Sequence, residues 1–563
     1  MKGLSVSNDK KEMETAGRKI ARGLIANGVD TVFGIPGAHT YDLMDGFYAE
    51  RNQLRFIHTR HEQGAGYMAF GYAKSSGRPG VYSVVPGPGV LNSGAALCTA
   101  LGADTPVMCV TGNIMSHLIG RGRGQLHELP DQLSTLRGIT KGAERIDHPS
   151  SAYSTVAGLF TKMLSGRRGP VAVETPWDVF GQTAPVEQPL VGEPLSSPEV
   201  DPDKVKAAAA LIAQARNPLI IVGTGAVEAS EEVRELANRL QAAVTSYRSG
   251  KGVLAADEAA WLDAASAFEY WKSVDLLIGI GASLRLPFMT WRWRPPELKT
   301  IRIDIDPVEM VRLKPTVGIV ADAAVGTRAL IEALDGGIRS DRSAELLEIR
   351  AKVEKDVDAI QPQVDYLRAI REALPRDGFF VEEVSQMGFA GRFAFPVYAP
   401  RQYVTCGFQE NLGFGFNTAL GVKIANPDKA VVSVCGDGGF MFGVQELATA
   451  AQHGIAVVVI VFNNSAYGNV LRDQRISYDG RYIGSELNNP DFVKLAESFG
   501  VKAFRARWPS ELRKVLERAF SLEVPVLIEV PIETGSEASP WSLISPPAPG
   551  TSGPQAAYAT LEA

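Results

Sequence analysis

Residues 431–470 read VVSVCGDGGFMFGVQELATAAQHGIAVVVIVFNNSAYGNV and alternate between apolar runs and polar or glycine-rich turns. Residues 431–435 are apolar and rich in valine, which indicates a strand. Residues 436–439, with three glycines, suit a tight turn, and residues 440–453 have the apolar spacing of a helix. Residues 456–462 form a continuous apolar run, as expected for a strand buried on both faces of a parallel sheet. The stretch therefore predicts a strand–helix–strand unit.

Polar residues follow both predicted strands of this unit. Asp437 comes after the first strand, and Asn463 and Asn464 come after the second. Because parallel strands end at the same edge of a sheet, we expect Asp437 and Asn464 to be neighbours. Carboxylate, amide and carbonyl oxygens suit Mg²⁺ that also binds phosphate, and a glycine turn before a helix offers N–H groups to phosphate. The alternative is an ordinary turn with a helix-capping aspartate, but the asparagine pair favours a metal–diphosphate site.

Length and composition restrict the class of protein. A chain of 563 residues is too long to fold around a single hydrophobic core, so several domains are expected. Its composition, with 45% hydrophobic and 21% charged residues, is typical of a globular protein. The net charge of −6 gives no reason to expect a nucleic-acid partner. We expect no membrane segment, because no apolar run approaches the ~18 residues that a membrane helix needs. With no signal-peptide pattern and no CxxC spacing among the four cysteines, we expect a cytoplasmic protein.

The whole chain alternates between predicted helices and strands, which is typical of α/β proteins with parallel sheets. We expect three doubly wound domains, at residues 12–185, 200–340 and 366–535. The glycines of residues 223–225 (GTG) predict a tight strand–helix turn rather than a nucleotide site. Residues 1–12 are polar and expected to fray, and the proline-rich residues 536–563 are expected to form a tail without regular structure.

The GDG motif at residues 436–438, followed by 24 residues and then NN, resembles the cofactor signature of enzymes that depend on thiamine diphosphate (ThDP). The three-part layout is similar to the pyrimidine-binding, central and pyrophosphate-binding domains of that family. The resemblance implies ThDP and Mg²⁺ as cofactors, with the metal bound by Asp437, Asn464 and the backbone carbonyl of Ala466. Further cofactor contacts are implied at Gly436, Gly438, Gly439, Tyr467 and Gly468. It also implies a homodimer or homotetramer with the active site at a subunit interface.

Glu62 is the candidate for activating the cofactor. It stands in residues 59–65 (TRHEQGA), which look like the segment that carries the family's invariant glutamate. That glutamate hydrogen-bonds the aminopyrimidine ring and promotes the tautomer that deprotonates the thiazolium. The role requires a carboxylate that is shielded from water and can share a proton with a ring nitrogen. Taken alone, Glu62 could instead be a first-turn carboxylate that favours the helix dipole.

Two further segments resemble cofactor contacts. Residues 86–92 (PGPGVLN) are similar to the loop against which the pyrimidine ring packs, which assigns contacts to Gly87, Pro88, Gly89 and Asn92. Gln386 resembles a glutamine that contacts the diphosphate, and Leu412 takes the place of the apolar residue that bends the cofactor. Glu410 replaces a glycine whose carbonyl faces the pyrimidine amine in relatives. The substitution keeps that carbonyl, and the pocket is one place where the added carboxylate could lie.

Two histidines are candidates for proton transfer to the substrate. His39, in a Gly-Ala-His triplet after a strand, resembles the histidine that handles substrate protons in benzaldehyde lyase, although a buried structural histidine is the alternative. His127 stands where acetolactate synthases and benzaldehyde lyase have an active-site glutamine. A histidine adds a group that titrates near neutral pH. Gln125 could fill the role of that glutamine if the loop is shifted.

The family resemblance implies a carboligase similar to acetolactate synthase, acting on 2-oxo acids or 2-hydroxy ketones. A benzaldehyde-lyase-like enzyme and a 2-oxo acid decarboxylase are the alternatives, and a non-catalytic cofactor-binding protein is a third. FAD is not inferred, because residues 281–288 (GASLRLPF) lack the expected Arg-Phe-Asp-Asp-Arg run. Asp473 stands where acetolactate synthases have a pocket tryptophan, and Asn469 is close by. These polar residues predict a small-molecule substrate with hydroxyls or charge.

Overall fold

The computed structural model of the protein describes residues 12–553. The expectation that residues 1–12 fray lies almost wholly outside this range, as do the last ten residues of the predicted tail. The described chain divides into two compact units: residues 12–73 with 78–195, and residues 74–77 with 196–553. Within residues 12–553, no helix combines the length and the apolar character needed to cross a bilayer.

The first unit contains one parallel sheet with helices around it. Its strands are β1 Met13–Thr15, β2 Thr31–Gly34, β3 Arg55–His58, β4 Gly80–Val84, β5 Val107–Asn113, β6 Gly142–Arg145, β7 Val171–Pro176 and β8 Thr183–Pro185. Its helices are α1 Ala16–Ala26, α2 Tyr41–Ala49, α3 Glu62–Ser76, α4 Pro88–Gly102, α5 Gln132–Gly138, α6 Ala152–Leu164 and α7 Trp177–Phe180. The parallel sheet has the order β3-β2-β4-β5-β7-β6, while β1 and β8 form a separate antiparallel pair.

The second unit contains two parallel sheets, and the first of these is formed by residues of the central region. Its strands are β9 Pro218–Val222, β10 Ala243–Thr245, β11 Leu276–Ile280, β12 Lys299–Asp304 and β13 Val317–Val320, in the order β10-β9-β11-β12-β13. The helices of this region are α8 Pro202–Gln214, α9 Ser230–Leu240, α10 Ala264–Trp271, α11 Pro307–Arg312, α12 Ala323–Glu332 and α13 Ser343–Asp358.

The other sheet of the second unit contains the GDG and NN motifs. Its strands are β14 Phe379–Glu382, β15 Tyr403–Val404, β16 Val431–Gly436, β17 Val458–Asn463, β18 Lys502–Arg505 and β19 Val526–Pro531, in the order β15-β14-β16-β17-β19-β18. The helices are α14 Gln363–Ala373, α15 Gln386–Ala394, α16 Gly415–Ala425, α17 Asp437–Met441, α18 Leu447–Gln452, α19 Gly468–Ser477, α20 Phe492–Ser498, α21 Pro509–Ser521 and α22 Trp541–Ile544. The prediction of three α/β domains with parallel sheets is confirmed.

In each parallel sheet the first strand along the chain is an inner strand; the second strand pairs on one side of it and the third strand pairs on the other side. The order of strands therefore reverses between β2 and β4, between β9 and β11, and between β14 and β16. At such a switch point the loops that follow the two strands diverge and leave a crevice at the carboxyl ends of the strands, where ligands bind in open α/β sheets. His39 follows β2 and Gly87 follows β4, whereas Gln386 follows β14 and Asp437 follows β16.

The predicted turn and helix after β16 differ in detail from the structure. Asp437, Gly438 and Gly439 are the first residues of α17 rather than a separate turn. The predicted helix at residues 440–453 is divided into the end of α17, a 3₁₀ turn and α18. The break occurs at Gly443, which packs so closely on Asn417 that a Cβ there would lie 2.5 Å from Asn417 Oδ1. Tertiary packing therefore overrides the helical spacing of the sequence.

Two further expectations about local structure are wrong. Pro88 and Gly89 belong to α4, because proline suits the first position of a helix, where its missing N–H is not needed. The predicted tail contains α22, although no regular element was expected there. Its prolines stand before and after residues 541–544, and Ile544 is buried in an apolar cluster. Prolines at the ends of so short a helix do not interrupt its hydrogen bonds.

Candidate active site

Asp437 and Asn464 lie side by side, as their strands predict. β16 and β17 pair in parallel with Gly436 opposite Phe462, so the two turns start at the same level. Asn489 joins them, since its Nδ2 donates to Asp437 Oδ2 at 2.6 Å and to Asn463 Oδ1 at 2.9 Å. Burial raises the pKa of Asp437, although hydrogen bonds from Asn489 and from backbone N–H groups oppose this effect.

A cavity of about 110 Å³ lies at the switch point between β14 and β16. Among the residues predicted to contact the cofactor, metal or substrate, those lining it are Gln386, Leu412, Gly436, Asp437, Gly438, Gly439, Asn464, Ala466, Tyr467, Gly468 and Asn469. Three helices, α15, α17 and α19, have their first residues in this lining. The cavity therefore collects residues that are up to 153 positions apart in the chain (384 to 537).

The cavity fits a diphosphate with a divalent cation. Gln386 Nε2 is buried and has no hydrogen-bond partner among the described residues. Helix N-termini offer backbone N–H groups and positive dipole ends to phosphate. At Gly438 a Cβ would lie 2.4 Å from the ring of Tyr467, so only glycine allows this close packing. Residues 12–553 contain no group of three or more His, Cys, Asp or Glu side chains arranged for a metal, so a cation here would rely on Asp437, amide, carbonyl and phosphate oxygens.

The chain after β19 supplies site residues that the sequence reasoning missed. Thr534 Oγ1 donates to the backbone oxygen of Asn464 at 2.6 Å, and Asn464 Nδ2 donates to Glu537 Oε2 at 2.6 Å. Burial raises the pKa of Glu537 to about 7, against the opposing effects of the Asn464 hydrogen bond and of Arg472. A proline-rich composition gives no signal for such contacts, because it reports only that regular structure is disfavoured.

The predicted substrate residues Asn469 and Asp473 are in contact, since Asn469 Nδ2 donates to Asp473 Oδ2 at 3.2 Å. Asn469 lines the cavity and Asp473 is buried behind it. Trp541 Nε1 donates to Asn469 Oδ1 at 2.9 Å, and Arg472 donates to the same oxygen. Arg472 also donates to Gln386 Oε1 at 3.2 Å, which connects this polar cluster to the cavity.

Glu410 does not place its carboxylate in this cavity. Its carboxylate accepts hydrogen bonds from Arg248 and lies 3.4 Å from Arg392 Nη2. Arg392 is buried and Arg248 is largely buried. Burial of Glu410 raises its pKa, but the two arginines together outweigh this effect, so the pKa is lowered. The backbone of Glu410 is left-handed, with φ of 47°, a conformation that the glycine expected here would adopt without strain. The two arginines thus accommodate the substitution.

Glu62 begins α3 in the first unit and lies beside two residues that follow β4. Asn92 Nδ2 donates to Glu62 Oε2 at 3.0 Å, and a Cβ on Gly89 would lie 3.7 Å from Glu62 Cγ. Gly87 has a positive φ of 64° and donates its N–H to Gln132 Oε1 at 2.8 Å. Gln132 is a buried residue that sequence reasoning missed. It fixes the loop after β4.

His39 and His127 are brought together, with ring centroids 5.5 Å apart. His39 also packs edge-on against Trp177, with centroids 4.8 Å apart. Both ring nitrogens of His39 and Nδ1 of His127 are buried without a hydrogen bond of normal geometry among the described residues, although the backbone of Leu126 is close enough to His39 to raise its pKa slightly against the effect of burial. Both histidines have a positive φ, 70° and 63°, which is uncommon outside glycine. Buried nitrogens without a normal hydrogen bond, on a strained backbone, are typical of a functional site.

Burial lowers the pKa of His39, and the neighbouring His127 lowers it further. His127 also lies over the glycine loop, since a Cβ on Gly87 would lie 2.5 Å from the His127 backbone oxygen. Gln125, the alternative to His127, is exposed, and its N–H donates to Glu128 Oε2 at 2.8 Å. The structure therefore pairs His127, and not Gln125, with His39.

Comparison with known proteins agrees with this geometry. Family models of thiamine pyrophosphate enzymes match residues 14–135 (N-terminal TPP binding domain), 205–334 (central domain) and 383–530 (C-terminal TPP binding domain). The chain is 34% identical over 536 residues to a probable 2-ketoarginine decarboxylase, AruI, of Pseudomonas aeruginosa, covering 92% of this chain and 94% of the relative.

Acetolactate synthases are similar to the chain over a comparable length. It is 33% identical over 551 residues to the probable acetolactate synthase large subunit of Methanocaldococcus jannaschii, covering 92% of each. It is 31% identical over 553 residues to the acetolactate synthase large subunit of Haemophilus influenzae, covering 93% of this chain and 95% of the relative. With three matched domains and relatives of nearly full length, the chain belongs to the family of thiamine-diphosphate-dependent enzymes.

Proposed function

We propose that the protein is a ThDP- and Mg²⁺-dependent carboligase similar to acetolactate synthase, which forms or breaks a carbon–carbon bond next to a carbonyl group. Its substrates would be 2-oxo acids or 2-hydroxy ketones. The observation that carries this proposal is the common cavity of Asp437, Asn464 and Ala466 with Gln386 and the glycines at residues 436–439. Such a set of oxygens, N–H groups and space suits a cation with a diphosphate.

The residues divide the work between binding and proton transfer. ThDP, when bound, supplies a nucleophilic carbon and an electron sink. Asp437 and Asn464 would bind the cation through their side-chain oxygens, and Ala466 would bind it through its carbonyl. Glu62, held by Asn92, would share a proton with a nitrogen of the pyrimidine ring.

His39 and His127 would move protons at the substrate. His127 Nδ1 and the ring nitrogens of His39 are buried without a hydrogen bond of normal geometry among the described residues, so they can meet a substrate oxygen without first breaking a strong hydrogen bond. Because burial favours the neutral form of His39, this side chain is suited to accept a proton near neutral pH.

Decarboxylation of a 2-oxo acid with a polar or charged side chain is the second candidate. The cluster of Asn469, Arg472 and Asp473 favours it, since buried polar groups at a pocket discriminate against substrates that leave them unpaired. The similarity to a probable 2-ketoarginine decarboxylase points in the same direction. Replacing Asp473 by Trp should move the preference among 2-oxo acids towards aliphatic ones, by about tenfold or more in kcat/KM ratios. An unchanged preference would remove the support for a polar substrate.

We also propose a homodimer or homotetramer in the cytoplasm. The four cysteines are free, and three of them are buried, which suits a reducing compartment. Light scattering of the purified protein should give a mass two or four times that of the 60.4 kDa chain. A monomeric mass with full activity would contradict the proposed assembly.

Reconstitution with ThDP and Mg²⁺ tests the function. The protein should release CO₂ or an aldehyde from some members of a panel of 2-oxo acids and acyloins. Carboligation is identified by acyloin products, simple decarboxylation by CO₂ with free aldehyde, and a benzaldehyde-lyase-like reaction by cleavage of acyloins. Binding of ThDP without any turnover, unchanged by Glu62→Gln, would instead indicate a non-catalytic cofactor-binding protein.

A further inference from the structure

Two carboxamides line the cavity, and the proposed function gives them opposite tasks. Asn464 has to present an oxygen to the cation, whereas Gln386 has to present an N–H group to the diphosphate. The oxygen and nitrogen ends of a carboxamide have nearly the same shape, so packing alone does not determine which end faces the ligand. The hydrogen-bond partners of each carboxamide must determine it.

Asn464 is held by a carboxylate. Its Nδ2 donates to Glu537 Oε2 at 2.6 Å, and an ionised carboxylate can only accept. The nitrogen end must therefore face Glu537, which leaves Oδ1 on the opposite side, where the Ala466 N–H lies at 3.1 Å. Gly468 leaves room for this arrangement, since a Cβ there would lie 2.6 Å from Asn464 Nδ2.

Gln386 is held by a guanidinium. Arg472 Nη1 donates to Gln386 Oε1 at 3.2 Å, and an arginine side chain can only donate. The oxygen end of Gln386 must therefore face Arg472. The nitrogen end, Nε2, is buried without a partner among the described residues, so it remains available to donate to an anion.

We infer that Glu537 and Arg472 are positioning residues that orient the carboxamides of Asn464 and Gln386. Glu537 leaves an acceptor for the cation, and Arg472 leaves a donor for the diphosphate. Neither residue belongs to the GDG or NN motif. The inference rests on the proposed binding of ThDP with Mg²⁺.

The first experiment is a calorimetric titration of Mg²⁺ into protein with saturating ThDP. Glu537→Gln keeps the size of the side chain but can both donate and accept, so Asn464 loses its preferred orientation. We expect Mg²⁺ to bind about tenfold more weakly, as for other partners of metal ligands. Glu533→Gln, an exposed glutamate on the same segment, is the matched control and should leave the affinity unchanged.

A second pair of variants, made in Asn464→Asp protein, distinguishes orientation of the Asn464 carboxamide from a simple packing role of Glu537. In Asn464→Asp both ends of the side chain are acceptors, so its orientation no longer matters, while Glu537 becomes a like-charged neighbour. Adding Glu537→Gln to this background should restore Mg²⁺ affinity, the opposite of its effect on the wild type. A double-mutant cycle measures this reversal. A loss of similar size in both backgrounds would contradict an orienting role.

Arg472 is tested through the other ligand. Arg472→Met removes every donor while keeping an unbranched side chain, and we expect ThDP to bind about tenfold more weakly at saturating Mg²⁺. Arg472→Lys keeps a donor and should recover part of the affinity. Equal affinities of wild type and Arg472→Met would overturn the inference for Gln386.

The wild type separates failure of this inference from failure of the proposed function. If wild-type protein binds no ThDP in the presence of Mg²⁺, the proposed function fails. If wild-type protein binds both ligands and the Glu537 and Arg472 variants bind them equally well, only the orienting roles fail.

Discussion

The two switch points that carry the site residues are built in opposite ways. Between β14 and β16, Asp437 and Asn464 already have hydrogen-bond partners within the chain. Between β2 and β4, the ring nitrogens of His39 make no hydrogen bond of normal geometry among the described residues, and His39 and His127 both have a left-handed backbone. The first arrangement fixes the polar side chains that line a cavity, whereas the second leaves buried ring nitrogens weakly bonded on a strained backbone. This difference motivates our proposal that the same sheet topology serves binding in one domain and proton transfer in another.

The third switch point, between β9 and β11, is formed differently, by closely packed glycines. A Cβ on Gly223 would lie 2.4 Å from the Gly281 backbone oxygen, and the Gly225 N–H donates to that oxygen at 3.0 Å. The glycines here close the crevice by bringing two loops into contact. The prediction that residues 223–225 form a tight turn is confirmed. Glycine after a parallel strand therefore does not identify a ligand site without polar neighbours.

The largest effect should come from Glu62→Gln. The amide cannot take up the proton that the proposed mechanism requires, so we expect kcat to fall by about 10³-fold. ThDP affinity should stay within about twofold, because Glu62 is assigned to proton transfer and not to the diphosphate. Steady-state kinetics and a calorimetric titration measure the two quantities. A parallel loss of affinity would show that binding and proton transfer are not divided between the two regions.

Asp437→Ala should affect cofactor binding at the switch point between β14 and β16. Removing the only carboxylate proposed to bind the cation should weaken Mg²⁺-dependent ThDP binding by about 100-fold. Asp428→Ala, at an exposed position of the same domain, is the control and should bind ThDP normally. If Asp437→Ala binds ThDP with wild-type affinity, Asp437 is not a ligand of the cation and the metal site lies elsewhere.

His127→Gln tests the histidine pair through pH. Burial and the neighbouring His127 both lower the pKa of His39, and this variant removes the second cause. The pKa of His39 should rise, so the acidic limb of the kcat/KM profile should move to higher pH. His117→Gln, an exposed histidine in the same unit, should leave the profile in place. If the acidic limb does not move, the protonation of His39 does not control kcat/KM.

The smallest effect concerns the stability of the cofactor side. Glu383 follows β14, accepts the Gly415 N–H at 2.8 Å, and has its pKa raised to about 7 by burial. Because the folded protein holds this proton more tightly than the unfolded chain, the contribution of Glu383 to stability is fully present below about pH 4.5 and is lost as the pH rises through about 7. Glu383→Gln should reduce that loss, which we expect as a thermal midpoint a few degrees higher than wild type at about pH 8. If wild type and Glu383→Gln have equal thermal midpoints at about pH 8, the charge of the Glu383 carboxylate does not destabilise the folded protein.

Parallel strands explain why much of the cofactor side could be predicted from the sequence. Since β16 and β17 end at one edge, the spacing of Asp437 and Asn464 was enough to bring them together. Glu537, Arg472 and Gln132 were not predicted, because their roles depend on how distant segments pack. The direction of the Glu410 side chain could not be predicted for the same reason, because its partner Arg248 is 162 residues away in the sequence.

The most direct test of the account is a ThDP titration of the wild-type protein in Mg²⁺ and, separately, in EDTA. The cavity at Asp437 and Asn464 predicts saturable one-to-one binding in Mg²⁺ and at least about 100-fold weaker binding in EDTA, since the diphosphate would then face the Asp437 carboxylate without a cation. Equal affinity under the two conditions would contradict a metal-bridged diphosphate at this site.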